Sequence, residues 1–400
     1  MARRCAIIAA DVLTALGAGT DAVWAEMLRG ACGLRPMRRF PHGRYMTDFA
    51  AEVEATSATD DNRAWTMAVE TGRRMLGRLG PRAGHTEPAT GRAGLVLATT
   101  KAEIGQLERL ASGAEAGKRH NPGVLARDLA AELGLGGPVM SVSNACASGL
   151  IAIVQAAQLL RRGDAKAMAV IGVDALADFT LAGFSALNAL SKGGPCRPYD
   201  AERDGLSLGE GAGALFLVAE PQPGDDVLGE VIGWGITNDA CHITAPSRTG
   251  HGLQAAIERA LAAAGLAPRD IHYINGHGTA TVYNDAMEAK AVHRVFGPEM
   301  PPLTSMKGYF GHTLGAAGAI EAALSLVSLR ERVVPGCLGL RTLGVDVPIR
   351  VPIEPLSLPR LSNVLSFKCG FGGVNAAVVL AREGGARNAE HRSQDVMRDA

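Results

Sequence analysis

The sequence has no surplus of either charge: 40 Lys and Arg balance 40 Asp and Glu over 400 residues. Such a chain projects no global field, which argues against nucleic acid or a membrane surface as partner. It also has no C-x-x-C pair. Seven cysteines, an odd number scattered from Cys5 to Cys369, argue against a disulfide framework or a zinc site and for a reducing compartment, the cytoplasm. No run approaches the ~18 apolar residues that a membrane span requires. The opening MARRCAIIAADV imitates a short signal peptide, but Asp11 interrupts it, and Cys5 to Ala9 reads as a buried first strand. Phosphate loops are missing as well: there is no Gly-x-x-x-x-Gly-Lys-Ser/Thr, and the GEGAG of residues 209–213 precedes a strand instead of following one. His272 and His277 lack the helical i, i+4 spacing of a metal pair. What remains is a chain with 47% hydrophobic residues and 50 glycines, suited to a turn-rich globular enzyme of one large α/β unit or two domains.

The most informative stretch is 138–161, PVMSVSNACASGLIAIVQAAQLLR. Its alternating start reads as a strand, and Leu150, Ile153, Val154, Ala157 and Leu160 fall at helical spacing. Cys146 sits at the junction among Ala145, Ala147, Ser148 and Gly149. A thiol at an open helix N-terminus is favoured as thiolate, and small neighbours leave room for a substrate. The same small residues also serve close helix packing around a structural cysteine, so this stretch alone leaves both readings open.

Buried strands are expected at Ala93–Thr99, Ala167–Val173 and Ala214–Val218, with helices at 61–79 and Gly123–Leu133. The sharpest boundary is EPQPGDD at residues 220–226, dividing 1–224 from 225–383; residues 384–400 read as a frayed polar tail. The second half repeats the theme. Laying Gly318 over Gly149 puts Ile320 on Ile151 and Ala317 on Ser148, which reads as an internal duplication of strand, small-residue turn and apolar helix.

Three further groups carry chemistry. His277 in NGHGTAT follows a strand; its flanking glycines leave the ring accessible, against the structural role a lone His usually has. Lys307 and His312 in KGYFGHTLGAAG sit at the second half's turn, where a solvated Lys and a capping His are the alternatives. Consecutive glycines around Phe371 in GFGG permit backbone N–H groups to converge on an anion.

In this order, ACASG, GHGTAT, Lys-x4-His and GFGGVN, with RPYDAERDGLSLGEGAG between them, resemble the elongating β-ketoacyl-acyl-carrier-protein synthases. The resemblance spans residues 5–382 and implies an α/β, thiolase-like five-layer αβαβα sandwich of two βαβαβαββ halves, nearly always a dimer. By the same resemblance Cys146 takes an acyl chain from the phosphopantetheine of acyl carrier protein. His277 and His312 bind the malonyl thioester carbonyl as neutral donors, and the N–H groups of Cys146 and Phe371 form the oxyanion hole. Gly370 and Gly372 flank the Phe371 gate, Lys307 pairs with Glu321, Thr279 and Thr281 hold the pantetheine arm, and Asp285 backs the histidine turn. The resemblance implies no tightly bound cofactor and no metal, only substrates carried on acyl carrier protein.

Departures accompany it. Lys368 and Cys369 stand where small and aromatic residues usually precede GFGG, and the segment from Thr100 to Cys146 is short, so pocket length is not inherited. TDDNRAW at 59–65 lacks the usual basic cluster for an acidic carrier, leaving Arg63, Arg73 and Arg74 as substitutes. The phrasing GTATVYNDAME and NDACHITAPSR suggests a synthase of an aryl-polyene or other type II polyketide pathway, hence a homodimer or a heterodimer with a chain-length factor. The alternatives are a non-catalytic chain-length factor, which Cys146 argues against, and a coenzyme A-dependent thiolase, for which Cys369 would be the second cysteine.

Overall fold

The computed structural model describes residues 4–54, 62–79, 92–115 and 117–383. The expected connection over 80–91, the start of TDDNRAW and the polar tail 384–400 lie outside the described residues.

Ten strands and six helices build the frame. In the first half they run β1 (Ala6–Thr14), α1 (Arg63–Gly77), β2 (Gly94–Ala98), α2 (Pro122–Glu132), β3 (Val139–Val142), α3 (Ser148–Arg162), β4 (Ala167–Asp174) and β5 (Gly211–Val218). The second half runs β6 (Gly229–Asn238), α4 (His251–Ala264), β7 (Tyr273–Asn275), α5 (Val282–Phe296), β8 (Leu303–Thr304), α6 (Ala317–Glu331), β9 (Asn363–Cys369) and β10 (Val374–Ala381). Both sequences of elements are βαβαβαββ. The strand orders agree too: β3-β2-β4-β5-β1 and β8-β7-β9-β10-β6, each with its fifth strand antiparallel to its neighbours. The two sheets join at two residue pairs, Ala6 with Glu230 and Ile7 with Gly229.

Alternation along the strands explains the layering. Val96 and Ala98 of β2 face inward to α3 and α6, while Leu95 and Leu97 face outward to Met67 of α1 and Leu125 of α2. On the second sheet, Val364 and Val378 face the same central helices, and Leu365 and Val379 face Leu253 of α4 and Met287 of α5. Helix α6 is buried from Ala317 to Leu329, as expected of a helix apolar on all sides between two sheets. This is the five-layer sandwich the sequence implied.

The aligned pair Gly149 and Gly318 meet in space. A Cβ on Gly149 would lie 2.6 Å from the Ala319 nitrogen, and one on Gly318 would lie 2.4 Å from the Leu150 nitrogen. Only hydrogen fits at that helix crossing, so the two turns are brought together by the lack of side chains.

Asp11 does not end the first strand. It is buried within β1 and accepts from Arg74 at 2.9 Å and from Arg78 at 2.9 Å. Of the other arginines suggested for carrier docking, Arg63 is buried against Glu210 (Nε to Oε1, 2.8 Å), while Arg73 stays exposed in a surface pair with Glu132. Among the described residues, two helices of eight residues or more escaped the sequence reading, Ile104–Ala111 and Asp178–Ala186.

Candidate active site

Cys146 stands on a strained elbow between β3 and α3. Ala145, just before it, has φ +48°, a left-handed conformation costly for a residue with a Cβ. The Ser148 hydroxyl holds the elbow, donating to the Ala145 carbonyl at 2.6 Å and accepting from the Asn144 N–H at 2.7 Å. Leu314, beside His312, and Ala280, beyond His277, are also left-handed, at +51° and +66°. Strain thus sits on three of the turns that face the cavity.

The second half supplies the imidazoles. His312 Nε2 lies 3.0 Å from Cys146 Sγ, and the His277 ring meets the His312 ring edge-on, with centroids 5.2 Å apart. The Leu314 N–H donates to His312 Nδ1 at 3.1 Å, so the neutral ring carries its proton on Nε2, pointing at the sulfur. Burial, then the charge of Lys307, holds both imidazoles well below the usual histidine range; Lys368 adds to both. Both rings are therefore neutral at physiological pH.

Burial pushes the Cys146 thiol up to about 11, outweighing Lys307 and the backbone N–H groups of Cys146 and Phe371, which pull the other way. Cys146 is only 7% exposed, so desolvation opposes the helix-terminus effect on which the sequence reading relied.

The glycines beside His277 serve close packing, not access. A Cβ on Gly276 would lie 2.3 Å from Glu288 Oε1, and one on Gly278 2.5 Å from Ser305 Cβ. Asp285 fastens this turn, accepting from the Thr279 N–H at 3.0 Å and the Tyr199 N–H at 2.8 Å. Glu288, which the sequence reading missed, accepts from the Gly278 N–H at 2.8 Å; an acid three residues after Asp285 on α5 was the available signal. Thr279 and Thr281 place their hydroxyl oxygens 2.9 Å apart on the cavity wall.

The GFGG turn does not form a converging nest. The Gly370 N–H bonds to the Val374 carbonyl and the Gly372 N–H to the Ile243 carbonyl, leaving Phe371 as the N–H directed at Sγ. The Phe371 ring packs on Phe184 of the Asp178–Ala186 helix, centroids 5.6 Å apart. Lys307 Nζ donates to Glu321 Oε1 at 2.9 Å, both fully buried.

Cys146, His277, His312, Thr279, Thr281 and Phe371 line one cavity of about 320 Å³. A larger polar cavity, about 520 Å³, lies near Asp21, Arg78 and Arg330, and neither cysteine nor histidine is among its described lining residues. The Cys146, His277 and His312 ligand atoms fall within 4.8 Å of one another, a convergence that linear spacing could not reveal. The buried Lys307 and Lys368 ammonium groups oppose a further cation there, so the cluster suits acyl chemistry better than a metal ion.

A thiol on one half facing two neutral imidazoles from the other defines a thiolase-like condensing site. Residues 48–222 match the β-ketoacyl synthase N-terminal domain and residues 228–341 the C-terminal domain. The 3-oxoacyl-[acyl-carrier-protein] synthase 2 of Vibrio cholerae is 30% identical over 95% of this chain and 99% of its own. The protein of that name from Rhizobium meliloti is 40% identical over 62% of each chain. Among solved structures, the ishigamide ketosynthase/chain length factor superposes with a TM-score of 0.86 at 29% identity, covering 96% of this chain and 100% of that one. The chain belongs to the β-ketoacyl synthase family. Among the described residues no helix is long and apolar enough to cross a membrane.

Proposed function

We propose that this protein is an elongating β-ketoacyl-acyl-carrier-protein synthase, joining malonyl-acyl carrier protein to an acyl chain held on Cys146. The observation that carries the reading is the 3.0 Å approach of His312 Nε2 to Cys146 Sγ inside a cavity shared with His277. In the first half-reaction Sγ attacks the acyl thioester carbonyl, the carrier thiol leaves, and the thiol proton passes to it. The tetrahedral oxyanion is held by the N–H groups of Cys146 and Phe371. Malonyl-acyl carrier protein then enters along Thr279 and Thr281, which bond its pantetheine arm. His277 and His312 donate to the malonyl thioester carbonyl, the carboxylate leaves as carbon dioxide, and the enolate forms. Its carbon attacks the acyl-Cys146 carbonyl; collapse expels the cysteine sulfur and releases a chain longer by two carbons.

Lys307 and Glu321 fix the field behind His312, and Asp285 holds the His277 turn. Cys369 lines the same cavity, but two histidines accompany it, which favours condensation on carrier protein over a coenzyme A-dependent thiolase. The halves divide at 224/225, and the enzyme acts in the cytoplasm. The partners are acyl carrier protein and a second subunit seated on the uncovered β3 edge, where Val139 and Met140 are exposed. A ketosynthase/chain length factor pair among the structural neighbours supports a heterodimer as one form of that assembly. This chain, retaining Cys146, is its catalytic member, in fatty acid or type II polyketide synthesis, the aryl-polyene kind included.

Cys146→Ala should fold normally and lose both acyl loading and condensation, read by intact-mass analysis. Elongation retained by that variant would remove Cys146 from its role. Copurification with neighbouring gene products identifies the partner subunit.

A further inference from the structure

The least expected side chain near the site is Lys368, fully buried on β9 three residues before Phe371. Its Nζ donates to Asn275 Oδ1 at 2.9 Å, to the Phe367 carbonyl at 2.9 Å and to the Gly276 carbonyl at 3.3 Å. Ser366 Oγ stands at 3.5 Å as well, so more acceptors surround the ammonium than it has N–H groups. The same Nζ lies 2.9 Å from Glu321 Oε2, as an ion pair across the central helix, while Lys307 holds the other oxygen. One carboxylate is thus shared by two buried ammonium groups.

We propose that Lys368 is a positioning residue for the condensation, tying the strand of the Phe371 turn to the His277 turn and to Glu321. This deepens the condensing-enzyme reading and rests on it. Two effects follow from the geometry. Asn275 and Gly276 immediately precede His277, so the ammonium fixes the approach of that ring. The charge matters as well: Lys368 adds a second ammonium beside Lys307, facing Glu321 and, farther off, Glu288, and its charge reaches both imidazoles. A fixed positive charge there favours the enolate as carbon dioxide leaves and keeps both rings in the neutral, donating form. Packing alone does not call for a lysine, since burying an ammonium is costly and a methionine fills similar space. The charged groups around it are Glu321, Lys307 and Glu288, with His277 and His312 beyond. Burial lowers the Lys368 ammonium to about 8, within reach of a pH profile.

The test compares wild type with Lys368→Met and with Lys368→Ser, the small side chain expected before GFGG. Three quantities are read: acyl loading of Cys146 by intact mass, malonyl-acyl carrier protein decarboxylation and condensation across the neutral to alkaline range, and melting temperature. The expected result is loading at the wild-type rate and melting no lower than wild type. Decarboxylation and condensation should both fall about tenfold or more, equivalent to ~1.4 kcal/mol, with the alkaline limb of the profile displaced. Condensation at the wild-type rate with an unchanged profile would overturn the proposal. Loss of loading, condensation and melting temperature together in both variants would overturn it equally, making Lys368 a fold element. If wild type neither loads nor condenses, it is the functional reading that fails.

Discussion

Gly149 and Gly318 touch backbone to backbone where the two central helices cross, at equivalent positions of the two halves. The contact sets the distance between the Cys146 elbow and the His312 turn. A Cβ at Gly318 would strike the Leu150 nitrogen, an obstacle that cannot swing aside. Gly318→Ala should therefore cost about 1–3 kcal/mol by overpacking. Denaturant titration measures the loss, and condensation should fall further than folded fraction alone accounts for.

His312 donates through Nε2 because Leu314 occupies its other nitrogen. His312→Ala should impair malonyl decarboxylation by about 10²-fold or more, as when an oxyanion donor is removed, and slow acyl loading less. Equal loss of the two, by acylation mass spectrometry beside carbon dioxide release, would contradict the assignment.

The burial of Cys146 gives a pH test. A thiol raised to about 11 is neutral at pH 7, and its thiolate fraction grows as pH rises. Alkylation of Cys146 by iodoacetamide should keep accelerating beyond the ordinary thiol pKa of ~8.5. A plateau near neutral pH would mean that the N–H donors and Lys307 outweigh desolvation after all.

Much of the frame was legible because the two signals that carry it are local. Val139–Val142 and Ser148–Arg162 announce a strand and a helix by period, and Ala93–Thr99 announces a strand covered on both faces. The paired glycines gave the duplication. What escaped was settled by distant partners. Asp11 looks like a break until Arg74 and Arg78 neutralise it from α1 and the turn beyond. The glycines around His277 look like access until Glu288 and Ser305 fill the space beside them. Lys368 looks like a departure from pattern until Glu321 is found with an oxygen to spare for it.

Met140 sits exposed on β3, the end strand of the first sheet, which pairs on one side with β2 alone. If the proposed second subunit sits on this edge, Met140→Glu should disperse the assembly into single chains, observed by light scattering, with the folded state retained. An unchanged molar mass would move the interface elsewhere.

The two sheets end differently. Val139 to Ser141 on β3 are open to solvent, whereas Leu303 and Thr304 at the opposite end are fully covered, with the Leu303 N–H bonded to the Arg350 carbonyl. Among the described residues, the sheet is therefore open to a further strand at its β3 end and closed at its β8 end.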